Sequence, residues 1–87
     1  MFTWFHFVRL QQPADGEVHA MALRRGLGPD VVVGRPADAH ARAAWCLSVR
    51  RTGPDLAALQ STGSQVERLL GDAVKVHKGW AFEEVPR

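Results

Sequence analysis

The side chains of this 87-residue chain that titrate or react near neutral pH are four histidines and one cysteine. His6 stands among aromatics in Phe5-His6-Phe7-Val8. An imidazole with a reference pKa of about 6.5 in apolar surroundings can act as a base or hold a ligand carbonyl or phenol. The other reading of His6 is a buried neutral ring satisfied by a backbone carbonyl or a water, and no carboxylate stands near it in sequence to orient it. His77 alternates away from Val76 and Trp80 on its strand and reads as a surface or interface residue. His19 and His40, taken with Asp15, Glu17 and Asp38, match no ligand spacing, so no metal is expected. Cys46 lies in the apolar run Ala43 to Val49, has no second cysteine to pair with, and reads as a small buried hydrophobe. Gly26-Leu27-Gly28 is too short to cradle a phosphate. Glu83-Glu84 reads as a solvated end.

His6 must be positioned by the strand 2–10, whose two-residue period puts Phe2, Trp4, His6, Val8 and Leu10 on one face and Thr3, Phe5, Phe7 and Arg9 on the other. Neither face is polar, which calls for a second layer beyond the strand's own helices, most simply another subunit. Gln11 to Gly16 is turn chemistry, and Asp15 can cap a helix over 16–25 whose apolar spacing runs through Val18, Met21 and Ala22. Gly26 to Asp30 stops that helix, and 31–35, with three successive valines, is a brief strand. A polar connection over 36–42 precedes a third strand at 43–51, with Trp45, Leu47 and Val49 on one face. Thr52-Gly53-Pro54-Asp55 starts the second helix, with Thr52 or Gly53 near the cap. Its stripe of Leu56, Leu59, Gly63, Val66 and Leu70 is interrupted at 61–64, which predicts a kink or two helical pieces. A last strand over 73–82 carries Val74, Val76, Trp80 and Phe82 on one face, with Lys78 intruding.

Strand, helix, strand, strand, helix, strand is the order of an α+β, ferredoxin-like βαββαβ domain: a four-stranded antiparallel sheet with both helices on one face. One domain spanning 1–87 is expected. A core of this size is modest, since such a chain buries roughly 60 to 65 per cent of its unfolded surface, and assembly would help it. Composition is that of a globular protein, 46% hydrophobic and 23% charged, which excludes a disordered or fibrous chain. A net charge of +2, with basic residues scattered as Arg24-Arg25, Arg50-Arg51 and Lys75 with Lys78, forms no stripe for nucleic-acid phosphates. Arg9 interrupts the one candidate apolar run, so neither a signal peptide nor a membrane span is read, and the cytoplasm is the expected location.

With Phe5-His6-Phe7-Val8, the helix start Asp55-Leu56 and the closing 74–82 segment Val-Lys-Val-His-Lys-Gly-Trp-Ala-Phe, the chain resembles the stress-responsive dimeric α/β-barrel family, whose plant members include a polyketide cyclase. The resemblance implies two subunits packed sheet to sheet and a pocket between sheet and helices lined by His6. It also implies an acid-base pair in the second helix. Here the positions counted from that family's His-Pro-x-His segment, matched by Thr62-Gly63-Ser64-Gln65, carry Gln65 for the histidine and Leu59 for the tyrosine. Neither exchanges a proton near neutral pH, so the cyclase pair is absent. The resulting expectation is a homodimer that binds a small apolar or aromatic molecule through His6, Trp4, Leu59 and Gln65, with no cofactor and with catalysis left open. The alternative is a non-catalytic homodimeric assembly module whose interior is filled by Trp4, Leu59 and Leu70. RNA binding on Phe5 and Phe7 comes third, because the third strand lacks the Gly-aromatic pattern of the RNA-recognition module.

Overall fold

A computed structural model describes residues 1–83. Strands β1 (Phe2–Leu10), β2 (Val32–Gly34), β3 (Leu47–Gly53) and β4 (Val74–Glu83) form one sheet in the order β2-β3-β1-β4. Every neighbouring pair is antiparallel. Helices α1 (Gly16–Leu27), α3 (Leu56–Gln60) and α4 (Thr62–Leu70) join the strands on one side of it, and a short α2 (Ala39–Ala44) lies in the connection before β3. This is the ferredoxin-like α+β arrangement.

The alternation of β1 is the axis of the packing. Val8 and Leu10 enter a core with Ala20, Leu23, Val33, Leu47, Val49, Val66 and Leu70, while Phe5, Phe7 and Arg9 on the other face stay half-buried. The register of β1 on β4 shifts between Arg9 and Leu10, so Leu10 faces Val74, Lys75 is passed over, and Val74 packs against the core. Val74 is thereby separated from Val76, Trp80 and Phe82, with which simple alternation had grouped it.

Five local expectations are corrected. The 43–51 segment is not one strand: α2 runs to Ala44, β3 begins at Leu47, and Trp45 packs on Phe7 at a ring-centroid distance of 6.0 Å while Leu47 and Val49 are in the core. Asp38 nucleates α2 by accepting a hydrogen bond from the His40 amide at 3.0 Å, an N-cap within what read as a polar connection. In α1 the sheet-facing line is Ala20, Leu23 and Leu27, leaving Val18 67% and Met21 46% exposed. That helix starts after a 3-10 turn over Pro13–Asp15, in which the Asp15 side chain makes no capping bond. The second helix is capped by Asp55, whose carboxylate accepts from the Ala57 and Ala58 amides, and not by Thr52 or Gly53.

The expected interruption of the second helix is present. Ser61 Oγ donates to the Ala58 carbonyl and Thr62 Oγ1 to the Leu59 carbonyl, each at 2.6 Å. Hydroxyls bonded back to these acceptors compete with the helical ladder and divide it into α3 and α4. Glu84 lies outside the described residues. No helix among the described residues is long and apolar enough to cross a membrane. Because Leu23 is fully buried and Met21 is not, Leu23→Ala should lower the unfolding free energy by about 2–5 kcal/mol and Met21→Ala by no more than about 0.5 kcal/mol, read by urea denaturation.

Candidate functional site

Beneath the helices a line of polar side chains crosses from the sheet interior to the surface. Trp4 Nε1 donates to His6 Nδ1 at 3.2 Å, His6 Nε2 is 2.8 Å from His77 Nδ1, and His77 Nε2 is 2.8 Å from Glu67 Oε1. An indole N–H only donates and a carboxylate only accepts, so the two ends orient the whole chain. His6 Nδ1 must accept; its Nε2–H therefore donates to His77 Nδ1, and His77 Nε2–H donates to Glu67. Both imidazoles are neutral in the fully bonded arrangement.

The backbone makes this possible through two glycines. Gly79 is the β4 partner of His6, and a Cβ there would collide with His6 Nδ1 and the Trp4 ring. Gly63, in the first turn of α4, brings the helix so close that a Cβ would sit 3.3 Å from His6 Cε1 and 3.7 Å from His77 Cε1. Glu67, four residues on from Gly63, shares that helix face and reaches His77. Beside the chain, Arg51 Nη1 donates to Thr62 Oγ1 at 3.0 Å and to Gln65 Oε1 at 3.1 Å, tying β3 to α4, while Gln65 Nε2 reaches Ser61 Oγ at 3.5 Å.

The His6 pKa is lowered from 6.5 to about 4: burial contributes most, the neighbouring His77 acts in the same direction and the Glu67 carboxylate opposes the shift. Protonation at Nδ1 would also turn an N–H toward the indole N–H of Trp4, donor against donor. With both ring nitrogens committed to side-chain partners, His6 presents no free lone pair to a substrate. The arrangement orients and holds; it does not leave a base open.

The opposite sheet face is aromatic and cationic. Phe7 stacks with Trp80 at 5.0 Å and Phe5 meets Phe82 edge-on at 5.7 Å. Lys78 Nζ lies 5.6 Å and 5.8 Å from the Trp80 and Trp45 rings, and Arg9 lies over Trp45 at 5.5 Å. Two clefts open on this face, of about 360 Å³ beside Phe5, Phe7, Val32 and Arg50 and about 300 Å³ beside Phe5, Arg50 and Phe82. A third, of about 550 Å³, opens at the end of the sheet near Arg9 and α2.

No family model matches the chain, and no curated protein does. Solved structures do. The crystal structure of TTHA0845 from Thermus thermophilus is similar over 100% of both chains, with a TM-score of 0.69 at 18% identity. The hypothetical protein PHS023 from Pyrococcus horikoshii is similar over 98% of this chain and 93% of its own, with a TM-score of 0.62 at 15% identity. The protein PH0061 is similar over 99% of this chain but 54% of its own, with a TM-score of 0.67 at 12% identity. At such identities the likeness carries the ferredoxin-like fold.

Of the four residues expected to bind a ligand, Trp4 and His6 bond each other, Leu59 is buried on the same side of the sheet with a methyl 3.7 Å from where a Gly53 Cβ would stand, and Gln65 is held by Arg51. None of the three clefts is lined by any of these four. His77, read from its strand as a surface or interface residue, links His6 to Glu67, its side chain 20% exposed. Sequence reasoning missed Glu67, Arg51 and Thr62. The signal that would have found Glu67 and His77 was the pair of glycines, since Gly63 precedes Glu67 by one helical repeat and Gly79 follows His77 by one strand repeat. Cys46 is half-buried, as is Trp45 beside it. Among the described residues no three His, Cys, Asp or Glu side chains are grouped to hold a metal ion.

Two outcomes are expected. His6 carries a folded-state pKa of about 4 against 6.5 unfolded, so its contribution is complete above pH 6.5 and lost as pH falls toward 4, where the unfolded chain binds the extra proton. Between pH 7 and 4 that loss should reach up to about 3 kcal/mol, seen as the difference in denaturation pH profiles between the native chain and His6→Gln. Gly79→Ala should cost at least about 1–3 kcal/mol through the forced displacement of Trp4 and His6, and a full-strength native Tm in that variant would refute the packing.

Proposed function

We propose that the protein is a non-catalytic self-assembling domain: two copies pack sheet to sheet through Phe5, Phe7, Trp80 and Phe82, over an interior that is filled. The observation that carries this reading is the pattern of exposure on β4. Val76, Trp80 and Phe82 are 44%, 38% and 54% exposed in the single chain, with Val32 at 56% on the far edge of the same face. Large apolar side chains gathered and exposed on one sheet face mark an interface. Trp4, Leu59 and Leu70, buried at 9%, 4% and 8%, favour the filled interior over an open ligand pocket, as does the saturation of both His6 nitrogens. The resemblance to the dimeric α/β-barrel family, carried by β1 and β4, points to the same pairing of sheets.

Pairing about a two-fold axis brings Arg9, Arg50 and Lys78 of both copies toward one interface, where like charges oppose association. Salt should therefore tighten the dimer. Nucleic acid on the same aromatic and cationic face would bind more weakly as salt rises, so ionic strength separates the two readings by sign.

Light scattering on a sizing column should give twice the chain mass into the low micromolar range. Trp80→Glu and Phe82→Glu, at residues that support no monomer core, should each give a folded monomer. A native chain that stays monomeric at ~100 µM, an affinity weaker than about −5.5 kcal/mol, would sink the proposal.

A further inference from the structure

We propose that the cleft of about 550 Å³ at the end of the sheet binds a small phosphorylated molecule through Arg9, Arg35 and Arg42. The three guanidinium-bearing residues line one space, and two are fixed there by backbone carbonyls: Arg9 Nε donates to the Ala44 carbonyl at 2.9 Å, and Arg42 Nη1 to the Pro36 carbonyl at 3.1 Å and the Ala37 carbonyl at 2.8 Å. Carbonyls orient a guanidinium without neutralising it, so its charge and remaining N–H groups stay available. Arg35 is exposed and has no partner among the described residues.

The local acids do not cancel this charge. Glu17 is the acidic residue in the lining, and its carboxylate is paired with Arg24 at 3.2 Å. Asp38 faces the neighbouring cleft and accepts from the His40 amide. Three cations gathered without a matching carboxylate repel one another, and a multiply charged oxyanion relieves that repulsion with charge-assisted, forked hydrogen bonds. Much of the rest of the wall is glycine and alanine, including Ala14, Ala20, Ala43 and Ala44, with Trp45 and Cys46 beside them. Short side chains leave room, and the volume falls in the range of sites for small organic molecules. The site stands on these contacts within one chain, and Arg9 is the residue it shares with the face proposed to pair.

The test is titration of the full chain with inorganic pyrophosphate, followed by proton–nitrogen correlation spectra. Saturable shifts should appear at Arg9, Arg35, Arg42 and Trp45. Arg35→Gln removes no intramolecular bond and should weaken binding about tenfold, as loss of a charged hydrogen-bond donor does. Arg68→Gln makes the same change in net charge at an exposed position of α4 and should leave affinity unchanged. Shifts that fail to saturate, that survive in Arg35→Gln, or that fall equally in Arg68→Gln would overturn the site in favour of diffuse electrostatics. Tighter binding of a single-stranded oligonucleotide, lost in Arg35→Gln, would overturn the small-molecule assignment and give the cleft to a nucleic-acid backbone.

Discussion

The indole N–H of Trp4 can only donate, and from that restriction the helix side of the sheet takes its order. Its bond to His6 Nδ1 selects one tautomer, that tautomer passes its remaining proton toward His77, and His77 is left to face Glu67. A reversed chain would set two N–H groups against each other in a buried space, where an unsatisfied donor costs about 1–3 kcal/mol. The lengths of these bonds also fix the distance between β4 and α4, because His77 must reach His6 and Glu67 at once. Gly63 and Gly79 are the concessions the backbone makes to that distance. Among the described residues no buried side-chain nitrogen or oxygen lacks a partner, so the polar line, with Arg51, Thr62 and Gln65 beside it, is a complete internal structure.

The two faces of the sheet answer the same aromatic richness in different ways. On the helix side Trp4 and His6 are closed in by α3 and α4 and linked by directed hydrogen bonds. On the open side Phe5, Phe7, Trp80 and Phe82 meet by ring contacts alone, with Lys78 and Arg9 laid across them. Directed bonds select one arrangement, whereas ring and cation contacts tolerate several of similar energy. The helix side is therefore suited to fixing the chain's own geometry and the open side to accepting something from outside.

Much of the architecture was legible in the sequence because strand alternation and glycine–proline punctuation are local signals. The four strands, the break near Ser61 and the doubly apolar β1 all follow from such patterns. What escaped was set by non-local contacts. Val18 and Met21 have the right spacing for a buried stripe, yet the orientation of α1 on the sheet buries Ala20 and Leu23 instead. Trp45 belongs to an apolar run, yet the Asp38 cap draws the preceding residues into α2 and delays β3 to Leu47. In the site, His6 was found by its aromatic setting and the indole that orients it stands two residues away, but its second partner, His77, lies 71 residues away and could not be read from its neighbours. Glu67 was not singled out, because its pairing depends on the approach of α4 to β4.

The register of the sheet bears on how the chain is made. β1 is central, flanked by β3 and β4, and Phe2 is opposite Glu83. During synthesis the first strand cannot acquire its second neighbour until β4, more than sixty residues later, has left the ribosome. At about 5–20 residues per second, several seconds pass in which Phe5, Phe7 and the Trp4 edge have at most half their eventual cover. The sheet therefore closes as a late, long-range event, and the nascent chain's exposure to chaperones is set by the arrival of β4 and not by the folding of α1 or β3.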